Sequence, residues 1–390
     1  MNVLLCPFSD PGYLYPSIAV GLELRRRGAD VHVLGRAGAA PVLAEAGLPF
    51  LDAEEYGAGR AFEVGVARWA WETPGQFTAV RQAARDVRAD VLVTSVLCHG
   101  ALLAAEALDL PVAVIGLAAH LWDYAAAGGP EPERPVLRAW RTRDMLRFYD
   151  QGRDQVGLPA RSREGANPLV GTALLLRGDP ALEYPGAVLP AGVHHVGPCA
   201  WEPAADAVAL DRIREHLDRV GKPVVYVHLG RVFGGTSPWP RLNATFTGGP
   251  CQAVVELGRS KESRPDPRAD VLVVGKPWMG PLLDRAVLTL SSGTSAPVLN
   301  ALQRGRPLGL SPDGSEQPLL AAACVRAGVA SYVPNDLTRD PVKVLTAILR
   351  DAGMRDRAAA LARRLAAVDG PGRAADIVYG MARCPAARSA

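Results

Sequence analysis

The chain has 390 residues, 48% of them apolar and 21% charged, with a formal net charge of +3. This length allows about two or three domains with buried cores, and the small charge, with no basic run interleaved with aromatics, excludes nucleic acid as an expected partner. No apolar run reaches membrane-span length, no signal peptide precedes the first strand candidate, and the six cysteines (Cys6, Cys98, Cys199, Cys251, Cys324, Cys384) form no Cys-x-x-Cys pair, so a cytoplasmic protein with reduced thiols and no zinc centre is expected.

In chain order, Val3–Cys6, Val31–Leu34, Val91–Thr94 and Val112–Ile115 are short and apolar on all sides, as buried parallel strands are. Helix-like stretches alternate with them: Pro16–Arg27, Ala39–Ala46, Pro74–Asp86 and Gly100–Ala107, then a longer Arg-rich stretch, Pro135–Val156. This alternation predicts a doubly wound α/β sheet. Residues Pro198–Asp206 are rich in Pro and Ala, lack periodicity and read as a linker. The pattern then restarts with a helix (Asp206–Val220), a strand (Pro223–His228), a glycine-rich loop and strands at Gln252–Leu257 and Val271–Val274. Two such halves, residues 1–198 and 207–375, predict Rossmann-like domains with a cleft between them. Met354–Met381 reads as helical, and the last residues, from Arg383, as a frayed tail.

The most informative stretch is Val271–Gln317. The run Ala286–Leu290 ends in the small-residue loop Ser291-Ser292-Gly293-Thr294-Ser295, and an apolar-periodic segment led by Pro297 stops at Gly305. A second run, Pro307–Leu310, ends at Ser311-Pro312-Asp313-Gly314. That is strand, loop, helix, strand, with Ser295 as the expected N-cap. Such a loop aims unpaired backbone N–H groups and the positive helix end at one point, which suits a phosphate.

These residues carry a resemblance. The stretch Val271–Gln317, the opening NVLLCPFSDPGYLYPSIAVGLELRRRGADVHVLG and the middle motifs ALLLRGDPALEYPG and HHVGP resemble, in order and spacing, family 1 glycosyltransferases of bacterial natural-product biosynthesis. The resemblance runs from about Asn2 to about Met381. It implies the GT-B arrangement, two Rossmann-like domains facing across a cleft, with residues 376–390 returning to the first domain. It further implies inverting transfer of a sugar from a nucleotide diphosphate to a small-molecule acceptor. No membrane is implied, and a homodimer is left open. The chain contains no Asp-x-Asp pair, so no metal or other cofactor is expected.

By the resemblance, Trp278 lies beside the nucleobase, with domain packing as its alternative. Gly293, Thr294 and Ser295 bind the diphosphate. Glu316 and Gln317 take sugar hydroxyls, or serve only as helix N-terminal residues. The family's loop histidine falls on Ser292, and no histidine follows His228. Arg231, where the family has a small hydroxyl residue, could replace its charge by forking onto the diphosphate, or could be solvated. In the first half, the family's basic His falls on Tyr13 and its orienting Asp on Ser95. A phenol with an ordinary pKa of about 10 is a poor base at neutral pH. Asp10, His99, His120 and Asp123 are therefore the candidate bases. Against this stand the readings of Asp10 as a turn residue and of the histidines as packed and satisfied. The missing dyad leaves two further readings open, an acceptor nucleophilic enough to need no strong base and a binding subunit without catalysis. A sugar-nucleotide epimerase or hydrolase on the same fold is a third alternative.

Overall fold

A computed structural model describes residues 1–63, 69–123, 135–161, 167–230, 237–258, 263–275, 278–334 and 337–383. The chain divides into two compact units. One contains Met1–Gly178, Pro185–Trp201 and Val368–Ala390, the other Asp179–Tyr184 and Glu202–Ala367.

The first unit runs β1 (Asn2–Cys6), α1 (Pro11–Arg26), β2 (Asp30–Gly35), α2 (Ala40–Glu45), β3 (Phe50–Asp52), α3 (Trp69–Asp86), β4 (Val91–Ser95), α4 (His99–Ala107), β5 (Val112–Ile115), α5 (Pro135–Gln155), β6 (Ala173–Leu176) and β7 (Val193–His195). Its seven strands lie in the order β3-β2-β1-β4-β5-β6-β7, and their pairings are parallel. Alternate residues supply one core: Val3 and Leu5, Val31 and Val33, and Val91 and Val93 pack with Leu14 and Ile18 of α1. Each such buried side chain contributes about 1.5–3 kcal/mol.

The second unit runs α6 (Ala207–Val220), β8 (Val224–His228), α7 (Trp239–Phe246), β9 (Gln252–Glu256), β10 (Val271–Val274), α8 (Met279–Arg285), β11 (Ala286–Ser291), α9 (Ser295–Gln303), β12 (Leu308–Leu310), α10 (Gln317–Arg326), β13 (Ala330–Tyr332), α11 (Pro341–Arg350) and α12 (Ala352–Ala366). Its strand order is β10-β9-β8-β11-β12-β13, again parallel. Counted from its own first strand, this is the same winding as the first unit. Val225, Val227, Ala253, Val255, Leu288 and Leu290 form its core with Trp239 and Phe246 of α7 and Ile348 of α11. The segment Asp179–Tyr184 joins this unit because Arg364 of α12 pairs with Asp179 and Arg326 of α10 donates to the Leu182 carbonyl at 3.4 Å.

The helical stretch expected over Met354–Met381 is two helices. After α12 the chain returns to the first unit at Val368, earlier than the expected residue 376, and forms α13 (Gly370–Arg383). Ala374, Ala375 and Val378 enter the core against α1, and the Tyr379 hydroxyl donates to the Arg27 carbonyl at 3.1 Å. Residues 384–390, expected to be frayed, lie outside the described residues. Among the described residues no helix is long and apolar enough to cross a membrane.

Candidate functional site

In a doubly wound sheet, ligands sit at the carboxyl ends of the strands where the order reverses. In the second unit that point lies between β8 and β11, and the register there is in phase. His228 stands opposite Glu256 of β9 and Ser291 of β11, and Tyr226 opposite Val254 and Thr289. Tyr226, His228, Glu256, Thr289 and Ser291 therefore share the face opposite the apolar core. The Tyr226 hydroxyl donates to Glu256 Oε2. Glu256 Oε1 stands 3.8 Å from His228 Nε2. Burial, with the Glu256 carboxylate beside it, pushes the Tyr226 phenol well above its ordinary value, which keeps it a donor.

The loops that leave β8 and β11 meet. Gly230 has φ +63°, and a Cβ there would stand 2.9 Å from Ser292 Oγ and 3.4 Å from His228 Nδ1. Ser292 Oγ, Thr294 Oγ1 and His228 Nδ1 are buried without a hydrogen-bond partner among the described residues. Gly293, at φ +90°, lies against the first turn of α10: a Cβ there would meet the Gln317 carbonyl oxygen at 3.3 Å. The Gly293 N–H donates to Ser291 Oγ at 3.1 Å. The N-cap of α9 is Thr294 rather than the expected Ser295; Ser295 is the first helical residue and is buried. The Thr294 hydroxyl makes no capping bond. The turn thus leaves hydroxyls for a ligand where a capping residue would use them on its own helix.

Glu316 and Gln317 lie beside this loop, at the start of α10. Gln317 is fully buried, and its Oε1 accepts from the N–H groups of Asp313 at 2.9 Å and Gly314 at 3.3 Å. That side chain holds the loop after β12 in shape. Trp278 precedes α8 and is buried with 7% exposure, so little of the indole is available for stacking. Arg231 lies outside the described residues.

In the first unit, Asp10 caps α1, accepting from the Gly12 N–H at 3.0 Å. The helix starts at Pro11, not at Pro16 as expected, so Tyr13 sits in its first turn, edge-on to Phe8 with ring centroids 5.5 Å apart. Pro16 is inside the helix and has no N–H for the Gly12 carbonyl four residues back. Arg177, just past β6, supplies a donor: Nη2 reaches the Gly12 carbonyl at 3.3 Å and Nε the Gly116 carbonyl at 2.8 Å. One buried guanidinium thus ties the turn after β1 to the loop after β5. Ser95 ends β4 and is buried. His99 is fully buried, edge-on to Tyr149 at 5.7 Å, and burial pushes its imidazole down to about 4. His120 is also fully buried. Burial, then Arg138 and His195, push it down to about 3, so it is neutral at physiological pH and a weak base. Asp123 is exposed.

The structure therefore gathers Ser292, Gly293, Thr294, Ser295, Glu316 and Gln317 at one end of one sheet, and Asp10 and Tyr13 in one helical turn. The sequence reading missed Tyr226, Glu256, Arg177 and the part played by His228. A signal was present: the neighbouring strands β8 and β9 end alike, His228-Leu229-Gly230 and Glu256-Leu257-Gly258, a polar residue breaking an apolar run two positions before a glycine.

No protein-family model and no curated protein matches this chain. Solved structures do. The glycotransferase of kitacinnamycin is 20% identical, with 97% of this chain and 98% of that chain covered at a TM-score of 0.75. Glycosyltransferase VinC in complex with DTDP is 17% identical over 98% and 100%, TM-score 0.67. Spinosyn rhamnosyltransferase SpnG complexed with spinosyn aglycone is 19% identical over 98% and 100%, TM-score 0.62. At this identity the likeness defines the fold: the chain has the two-domain GT-B fold of these enzymes along nearly its whole length.

Proposed function

We propose that the chain is a glycosyltransferase that moves a sugar from a nucleotide diphosphate to a small natural-product acceptor. The reading rests on one observation. The fold match to natural-product glycosyltransferases spans almost the entire chain. In keeping with it, the end of the second sheet that faces ligands in such folds carries the Ser292 and Thr294 hydroxyls, which have no partner among the described residues. VinC with DTDP and SpnG with spinosyn aglycone support the two substrate classes.

In this reading Gly293, Thr294 and Ser295 hold the diphosphate and Glu316 the sugar, with Gln317 shaping the loop. The acceptor oxygen attacks C1 as the bond from C1 to the β-phosphate oxygen breaks. The electron pair leaves with the nucleoside diphosphate, the acceptor proton passes to a base, and C1 inverts. No metal takes part in the proposed reaction. The test is incubation with UDP-, TDP- and GDP-sugars and a panel of polyketide and aromatic acceptors, with and without EDTA, read by mass spectrometry. A product heavier by one glycosyl unit is the expected result. Donor hydrolysis or epimerisation without transfer would refute it, and loss of turnover in EDTA would refute metal independence.

The residues at the dyad positions, Tyr13 and Ser95, favour one second reading: a nucleotide-sugar-binding subunit without turnover of its own. Donor-dependent product formation by the purified chain excludes it.

A further inference from the structure

His228 Nδ1 and Ser292 Oγ converge at Gly230, where the imidazole edge also lies against Gly258. Two polar atoms, both buried and without a partner among the described residues, approach one point on the ligand-facing end of the sheet. The other nitrogen of the same ring faces a carboxylate whose second oxygen is already held by Tyr226. A carboxyl oxygen 3.8 Å from Nε2 favours the tautomer with the proton on that nitrogen. Nδ1 is then a lone pair in the neutral ring, or an N–H in the imidazolium. A lone pair there would repel an anion, whereas an N–H would bind one with a charge-assisted bond.

We propose that His228, held by Glu256 and Tyr226, is the cationic donor to the terminal phosphate of the bound nucleoside diphosphate, and that phosphate binding draws a proton onto Nδ1. The assignment rests on the glycosyltransferase reading above. It places the charge on β8, across the switch point from the Ser292 loop, rather than within that loop. Among the described residues, the titratable and hydroxyl groups facing His228 are Glu256 from β9, Tyr226 from its own strand, and Ser291 and Ser292 at the end of β11. Glu202 acts one step behind, through Tyr226 and Glu256. Ser292 Oγ shares the anion with Nδ1. Glu256 is a positioning residue: it touches the imidazole, not the phosphate.

The experiment is isothermal titration calorimetry of the full chain with UDP, TDP and GDP, and with uridine, thymidine and guanosine as phosphate-free controls. Each titration is run at one pH in two buffers of different ionisation enthalpy. For the nucleotide that wild type binds, the diphosphate enters with net proton uptake and the nucleoside without it. His228→Gln lowers the diphosphate affinity about 10- to 100-fold, abolishes the uptake and leaves the nucleoside unchanged. Glu256→Gln keeps the imidazole but reduces both affinity and uptake. Ser292→Ala gives a smaller loss with uptake retained, and so reports on the site should the His228 variant fold poorly. Equal diphosphate affinity and proton uptake in His228→Gln overturns the assignment while leaving the glycosyltransferase reading intact, as does an equal loss for the nucleoside, which would mark a structural role. A wild type that binds none of the three diphosphates overturns both.

Discussion

At the carboxyl end of the first sheet, β1 and β4 close on Cys6 and Ser95, and the imidazoles that follow, His99 and His120, are fully enclosed. At the corresponding end of the second sheet, β8 and β11 close on His228 and Ser291 with Glu256 ending β9 beside them, and the loop after β11 leaves the Ser292 and Thr294 hydroxyls without partners among the described residues. The order of the first six strands is the same; β4 and β11 both end in serine, and the difference lies at Cys6 of β1 against His228 of β8 and at Gly35 of β2 against Glu256 of β9. The first unit turns several polar groups on itself, Asp10 on a helix cap and Arg177 on two carbonyls, and burial keeps His99 and His120 neutral, although the Ser95 hydroxyl too has no partner among the described residues. The second carries an acid–imidazole pair at its strand ends and, among the described residues, hydroxyls without partners. A winding fixes where a ligand sits, and only the residues at the strand ends decide whether that place is furnished for one.

Acid gives the largest expected contrast. His99 and His120 have folded values of about 4 and about 3, below the unfolded value of about 6.5. The unfolded chain therefore binds more protons between those limits, so stability rises with pH there. Their contribution is complete above about pH 6.5 and is lost as pH falls towards 4, by about 1.4 kcal/mol per pH unit for each histidine. In hydrogen exchange, peptides across β4 and β5 should lose protection at higher pH than peptides across β8 and β11. The reverse order would break the comparison.

Arg177 comes next. Arg177→Met leaves the buried carbonyls of Gly12 and Gly116 without that donor, and should destabilise the first unit by about 2–4 kcal/mol. Arg177→Lys should recover only part, because one ammonium cannot reproduce the planar fork. Exchange protection in β1 and β6 is the readout. Unchanged protection there would mean that the turn after β1 holds without the clamp.

A third change acts on the second sheet. Gly293→Ala forces a Cβ onto φ +90° and to 3.3 Å from the Gln317 carbonyl oxygen. Strain of about 1–3 kcal/mol follows, and nucleoside diphosphate affinity should fall about 10- to 100-fold with exchange in the first unit untouched. Wild-type affinity in this variant would show that the loop after β11 does not hold the phosphates.

These contrasts were unequally visible in the sequence. Val3–Cys6, Val91–Thr94, Val224–His228 and Ala286–Leu290 announce themselves as apolar runs, and the doubly wound class follows from their alternation with helices. The sequence reading missed the strands β3, β6, β7 and β13; β3, β7 and β13 have three residues each, and two of the three in β7 are histidines that break any apolar run. The loop Ser292–Ser295 was legible because small residues before a helix have few other uses. Which residue stands at the N-cap was not, since it depends on the backbone angles at Thr294. Glu256 and His228 meet only through register, and Arg177 meets Gly12 only through the fold, 165 positions apart. Spacing along the chain does not encode such pairs. The proline that creates the need for Arg177 did stand in plain view at position 16.

The smallest expected effect belongs to Tyr13. To act as a base near neutral pH, a phenol of ordinary pKa must drop by about three units, or about 4 kcal/mol of preferential stabilisation of the phenolate. Its place in the first turn of α1 offers the positive end of a helix, worth about 0.3–1 kcal/mol. The Arg177 guanidinium reaches the Gly12 carbonyl next door and donates to the Gly116 carbonyl as well. Tyr13→Phe keeps the edge-on contact with Phe8 and removes only the hydroxyl, so kcat at saturating donor and acceptor should fall less than about tenfold, or about 1.4 kcal/mol. If Tyr13 were the base, Arg177 would be the group that lowers its pKa. Tyr13→Phe and Arg177→Met would then each cost about three orders of magnitude in the chemical step, and the double variant no more than either alone. An orienting hydroxyl predicts instead a small loss for Tyr13→Phe that adds to the loss from Arg177→Met. Single-turnover kinetics on the three variants separates the two outcomes.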